Sequence, residues 1–334
     1  MMNLRFRPPP IYFMHVPKTA GRSVTDILFS LYGPRNSVSL KMPDQLGRVS
    51  LAELRAKDHV SSHYGPGLFE PLRRPGLICF TMLRDPLERV VSHLYFHQRA
   101  LRKGAPFSDE HRRRMEPFLS AGIERWLDAP EARFLIEDFQ TRHLGISFDY
   151  RPYLKDGPAG AVPPVLERPE PAQVLLDGLD MGEVLVRARG WLEKVEMVGI
   201  TEHFAESLEL LCAKIGVPPR RQWPASNLGP NKSAVEAFGY RKTLAPVLVE
   251  RIEALNRYDI ELYRFGCELF AERLARFRAH PPRTFCVLPR LRWAIYEPGR
   301  AAWHRSRRRW PGLARLRRAP RRVGWGDGKR GPSA

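Results

Sequence analysis

The sequence predicts an α/β fold, a parallel β-sheet flanked by helices. Short apolar runs rich in β-branched and aromatic residues alternate with segments of helical periodicity. The best of these runs are apolar on both faces, as strands in a covered parallel sheet are. The first run passes through a tight turn directly into a helical pattern, the strand–loop–helix order of a βα unit.

Ile11–Val16 (IYFMHV) is a short run with proline on both sides and reads as a buried strand. After Pro17-Lys18-Thr19-Ala20-Gly21, apolar residues at Val24, Ile27, Leu28 and Leu31 predict a helix. A second strand is expected over Asp58–Ser62, ending at His63, and a third over Leu77–Leu83. Asp85 as N-cap, Pro86 at the first helical position and Glu88 two further on then open a helix. Its buried face is expected to be Leu87, Val90, Val91, Leu94 and Tyr95. Helical pieces follow at Ile123–Leu127 and Ala132–Leu144, then a Pro/Gly-rich loop at 150–172. Met197–Ile200 predicts another strand, leading through Thr201 to a helix with Phe204, Leu208, Leu211, Cys212 and Ile215 on one face. The stretch 217–231 is irregular, and two helices close the body at roughly 243–257 and 259–278. The second presents Tyr263, Cys267, Phe270, Leu274 and Phe277 at helical intervals.

The chain of 334 residues, 43% hydrophobic and 10% aromatic, is long enough for one large domain with a full core. Its net charge of +19 is uneven: Arg276 to the end holds 17 basic and 2 acidic residues, leaving +4 on the first 275. The division predicted is a folded domain over 1–278 and a flexible Arg/Pro-rich basic tail over 279–334. Such a tail attracts nucleic acid, an anionic membrane surface or a polyanionic substrate, and charge alone does not choose among them. Cys79, Cys212, Cys267 and Cys286 form no CxxC pair and read as reduced, mostly buried thiols. No apolar run reaches transmembrane length, and three prolines occupy the place of a signal peptide's apolar core, so a cytoplasmic location is expected.

His15-Val-Pro-Lys-Thr-Ala-Gly-Arg-Ser23 stands where a strand ends and a helix begins. There, unpaired N–H groups and the helix dipole favour an anion. Gly21 permits close backbone approach, Lys18 supplies a point charge, and Thr19, Arg22 and Ser23 add donors. A nucleoside triphosphatase loop needs GxxxxGK[ST]; here no first glycine is present and the lysine precedes the glycine. A surface lysine on an ordinary turn is the plain alternative.

HVPKTAGRS resembles the 5′-phosphosulfate loop of the sulfotransferases that use 3′-phosphoadenosine 5′-phosphosulfate (PAPS), particularly those related to heparan sulfate 2-O-sulfotransferase and their bacterial relatives. Thr81–Tyr95 (TMLRDPLERVVSHLY) is similar to that family's 3′-phosphate motif. Val198–Phe204 (VGITEHF), Asn231-Lys-Ser233 and LNRYDIELY also follow in family order, so the likeness runs from about residue 11 to 275. The resemblance implies a P-loop-like sulfotransferase architecture with Lys18, Thr19, Ala20, Gly21, Arg22 and Ser23 around the phosphosulfate. It also implies that Arg84 and Ser92 hold the 3′-phosphate, and that Lys232 and Ser233 lie on a loop closing over the nucleotide. Two departures stand out. Gly21-Arg22 stands where the family usually has Gly-Thr or Ser-Thr, so Arg22 either adds a salt link to the phosphosulfate or points away. Glu137-Asp138 stands where the family segment before Gln140 often has asparagine, so Gln140 and Arg142 face either the cleft or a helix surface.

Sulfuryl transfer needs a cation at the bridge oxygen of the leaving nucleotide, donors around the sulfuryl group and a base near the acceptor hydroxyl. Lys18 is the expected cation and no metal is called for. His63, at a strand end beside Lys18, is the expected base, and the resemblance places a catalytic histidine there; a structural hydrogen bond is the plain alternative. His15 is its rival and His59 a control. The expected activity is transfer of the sulfuryl group from PAPS to an acceptor hydroxyl, a glycan by the resemblance. The competing readings are a non-catalytic polyanion- or nucleic-acid-binding protein working through the tail, and a nucleotide kinase, which the loop disfavours.

Overall fold

A computed structural model of the chain describes residues 8–102, 113, 122–158, 178–218 and 239–280. Lys232, Ser233, the loop beyond residue 158 and the basic tail from residue 281 lie outside the described residues. Five strands form one all-parallel sheet: β1 (Ile11–Met14), β2 (Ser37–Leu40), β3 (His59–Ser62), β4 (Ile78–Leu83) and β5 (Met197–Ile200), in the spatial order β2-β3-β1-β4-β5. β1 is central and every residue of it is buried, which is why its sequence is apolar throughout. Phe13 stacks on Phe80 of β4 with ring centroids 4.5 Å apart. The backbone enters the sheet through bonds from Ile11 N–H to the Asp58 carbonyl (2.7 Å) and from Ile78 N–H to the Pro10 carbonyl (2.9 Å).

The four strands expected from sequence are present within two residues of their predicted ends. β2 was not expected. Only Val38 and Leu40 in it are apolar, and its extended form depends on β3, to which it pairs Ser37 to His59 through Leu40 to Ser62.

The helices are α1 (Gly21–Tyr32), α2 (Pro43–Leu46), α3 (Leu51–Arg55), α4 (Gly65–Leu72), α5 (Pro86–Arg102), α6 (Ile123–Asp128), α7 (Arg133–Ile136), α8 (Phe139–Gly145), α9 (Met181–Lys194), α10 (Phe204–Lys214), α11 (Pro246–Ala254) and α12 (Arg257–Ala279). Among the described residues no helix is long and apolar enough to cross a membrane. α5 starts as its sequence requires, with the Glu88 N–H bonded to Asp85 Oδ1 at 3.0 Å. Its buried face is Leu87, Val90, Val91 and Leu94, but Tyr95 is 38% exposed and leans on Tyr240. Pro86, Glu88, Arg89, His93, His97 and Leu101 are buried as well. The seam of α12 is also rotated from the expected one: Asp259, Leu262, Gly266 and Phe270 are buried, while Tyr263 and Cys267 flank them. A Cβ on Gly266 would lie 2.5 Å from Leu83 Cδ1, so this glycine sets how closely α12 packs on the sheet.

The expected helical piece Ala132–Leu144 is divided into α7 and α8, because Asp138 adopts a left-handed backbone, φ 41°. Asp138 Oδ1 accepts from the N–H groups of Tyr258 and Asp259, both at 2.9 Å, capping α12. Asp259 in turn accepts from Gln140 N–H (3.1 Å) and Thr141 N–H (2.7 Å), capping α8. Asn256 Oδ1 accepts from Asp138 N–H. Each helix is thus capped by a carboxylate from the other, and the chain breaks at the one residue that serves both.

α9 was also not expected, although Asp180 caps it from sequence position alone, accepting from Gly182 and Glu183 N–H. Its buried residues Val184, Leu185, Ala188 and Leu192 recur at helical spacing.

Candidate functional site

In a parallel sheet the strand ends that carry the loops lie on one edge, and a crevice opens where successive connections leave in opposite directions. Here that point is between β1 and β4. After β1 the chain runs to the β2–β3 side, and after β4 it runs to the β5 side. The loop 15–21 and the turn 84–85 therefore face each other, and Arg84 Nη1 donates to the Lys18 carbonyl at 3.3 Å.

The loop after β1 is tightly wound. Lys18 and Ala20 both have positive φ, 74° and 60°, unusual for residues with a Cβ. Such conformations cost on the order of 1–3 kcal/mol each and persist where the surroundings impose them. Alternating hands of backbone of this kind turn successive N–H groups toward one point, an anion nest. Thr19 is buried and closes the loop from within: its hydroxyl donates to the Val16 carbonyl at 2.8 Å. α1 begins at once, no side chain caps it, and its first turn holds no acidic residue. Ser23 is buried in that turn, and Arg22 is exposed. Lys18 Nζ lies 4.4 Å from the centre of the Phe96 ring on α5. Ser92, half-buried, is one helical turn before Phe96 and on the same face.

Gly21 is required for a reason its motif did not reveal. A Cβ there would stand 1.7 Å from His15 Nε2, so the glycine makes room for the His15 ring. His15 is buried, stacks on Phe13 at 5.1 Å, and is hydrogen-bonded through Nδ1 to His63 Nε2 at 3.1 Å. Burial, with the nearby His63 and Lys41, holds His15 well below the usual histidine range, so its imidazole is neutral. His63 itself is half-buried at the end of β3. His59 points elsewhere, into the core against Ser61 Oγ at 2.6 Å, where burial lowers its pKa to about 3.

Arg84 is buried, with Glu88 Oε2 at 3.4 Å and Glu202 Oε1 at 4.0 Å from its guanidinium. Both carboxylates are built into the turn. Glu88 Oε1 accepts from the N–H groups of Gly239 and Arg241, and Glu202 accepts from Asp85 N–H and from Tyr263 Oη. Burial raises the pKa of Glu202. Gln140 and Arg142 do not face a cleft: both are fully buried. Gln140 binds the Arg84 backbone twice, accepting from its N–H at 3.0 Å and donating to its carbonyl at 2.9 Å. Arg142 donates to the Glu137 and Phe134 carbonyls and braces the α7–α8 break.

The structure therefore brings Lys18, Thr19, Ala20, Gly21, Ser23, Arg84 and His63 into one connected cluster, with Ser92 beside it. Phe96, Glu88 and Glu202 belong to the same cluster and were not expected there from sequence, where Glu88 was read only as part of a helix start. Among the described residues no three His, Cys, Asp or Glu side chains converge as a metal centre would need. The chain matches no protein-family model, and no curated protein is significantly similar to it.

Proposed function

We propose that the chain is a PAPS-dependent sulfotransferase that moves the sulfuryl group to an acceptor hydroxyl, with a glycan as the acceptor class. The observation that carries the reading is the left-handed loop at Lys18 and Ala20, set at the head of an uncapped helix and bonded to Arg84 across the sheet's crossover point. That is a site for two anionic groups on one ligand, and the likeness of both segments to the sulfotransferase loops supports the assignment.

In this reading the loop residues Lys18 to Ser23 receive the 5′-phosphosulfate, and Arg84 with Ser92 receives the 3′-phosphate. The resemblance adds Lys232 and Ser233, which lie outside the described residues, to the nucleotide contacts. PAPS supplies the activated sulfuryl group. The acceptor oxygen bonds to sulfur as the bond from sulfur to the bridge oxygen breaks, releasing 3′,5′-ADP. Lys18 offsets the charge that grows on the departing oxygen. His63 takes the acceptor proton, and the bond between its Nε2 and His15 orients the ring. The basic tail recruits an acidic acceptor or an anionic surface.

Thermal unfolding with nucleotides tests the reading. 3′,5′-ADP should raise the midpoint, and ATP with Mg²⁺ should not. Labelled PAPS offered with a panel of glycans, lipids and small metabolites should then transfer label to a glycan. Stabilisation by ATP–Mg²⁺ and not by 3′,5′-ADP would replace the proposal with a phosphotransferase.

A further inference from the structure

We infer that Gln140 is a positioning residue that sets Arg84 for the nucleotide's 3′-phosphate; this rests on the reading above. β4 loses its strand partners just where Arg84 begins. Its pairing with β1 ends at Thr81 against Met14, and with β5 at Leu83 against Ile200. At the next residue the carboxamide of Gln140 takes the place of a neighbouring strand, bonding to both the N–H and the carbonyl of Arg84 at 3.0 and 2.9 Å. Gln140 is fully buried, so it acts on a ligand only through Arg84.

The guanidinium is held differently. Its contacts with the Lys18 carbonyl, Glu88 and Glu202 are 3.3, 3.4 and 4.0 Å, long for charge-assisted bonds. A guanidinium exchanges contacts of that length for a dianion readily, provided its backbone is fixed. Gln140 does the fixing, and is itself fixed. Its N–H is bonded to Asp259 on α12, and the left-handed Asp138 two residues before it is bonded back to the start of α12. The start of α12 thus reaches the proposed 3′-phosphate site through one amide side chain.

The test compares 3′,5′-ADP with 5′-AMP, two probes that differ by the 3′-phosphate alone, by calorimetry on the full chain. Wild type should prefer 3′,5′-ADP. Gln140→Met keeps the side-chain length and removes both bonds. It should lose about 10-fold or more of that preference, with 5′-AMP affinity little changed, the scale of one well-placed charged hydrogen bond. Gln140→Glu keeps the acceptor for Arg84 N–H and loses the donor, and should show a smaller loss in the same direction. A merely structural glutamine would weaken both nucleotides alike or lower the unfolding midpoint without moving the ratio. A folded variant with the wild-type ratio overturns the inference, as does failure of both variants to fold. If wild type itself binds the two nucleotides equally, the nucleotide reading has failed, a result distinct from a failure at Gln140.

Discussion

Gly21 and His15 are a matched pair, and the match can be tested with one methyl group. Gly21→Ala places a Cβ where the His15 ring lies, so either the ring or the loop must move. The expected loss is about 1–3 kcal/mol, the range for overpacking a filled site, read from urea unfolding. Gly190 in α9 is the control: an added Cβ meets nothing within 4 Å, so Gly190→Ala should stabilise by about 1 kcal/mol through helix propensity. The histidines separate in the same way. With the sulfuryl donor saturating, His63→Ala should lose about 10²-fold or more in turnover, the scale of a lost acid–base group. His15→Ala should lose less, because it removes only the partner that orients His63. His59→Ala should cost stability and leave turnover per folded molecule unchanged, since His59 is committed to Ser61 inside the sheet. Normal turnover in His63→Ala would move the base to another residue.

At the scale of elements, the exchange of caps between α8 and α12 is the most informative feature. Burial and the adjacent Asp259 push the Asp138 carboxyl up to about 7, against a smaller opposing pull from Arg142 and from the N–H bonds it accepts. A carboxyl raised in the fold holds a proton that the unfolded chain has released. Its contribution is therefore full below the ordinary aspartate range and lost as pH rises through about 7. Asp138→Asn keeps the single oxygen that accepts both N–H bonds, tolerates the left-handed backbone, and removes the charge. Urea unfolding should show Asp138→Asn gaining on wild type between pH 5 and pH 8. A parallel pH dependence in the two proteins would contradict the assignment. Asp138→Ala loses the cap itself and should cost about 0.5–2 kcal/mol at either pH.

For the molecule as a whole, charge is the dominant asymmetry. The body up to residue 275 carries +4, and the remainder +15. Crowding of like charge at one end makes any polyanion contact depend steeply on salt. A chain ending at residue 280 retains every strand and helix found among the described residues. It should keep turnover on a small acceptor and show a much shallower salt dependence in binding a polyanion such as heparin. Loss of folding on truncation would assign the tail a structural role instead.

Legibility of this fold followed the range of the interactions. β1, β3, β4 and β5, the turn at 17–21 and the start of α5 were readable because each is specified by neighbours a few residues apart: apolar runs, proline and glycine punctuation, an Asp-Pro-x-Glu start. β2 was not, because two apolar residues do not define a strand until β3 supplies the partner. The break at Asp138 reads as helix locally and is decided by Tyr258 and Asp259, some 120 residues away. Gln140 and Arg142 have helix-surface character in sequence, yet both are buried, because α8 is enclosed by α9, α12 and the end of β4. Local periodicity thus specified four of the strands and the turn between β1 and α1. The orientation of each polar side chain around that loop was specified by packing between distant segments, which no local pattern encodes.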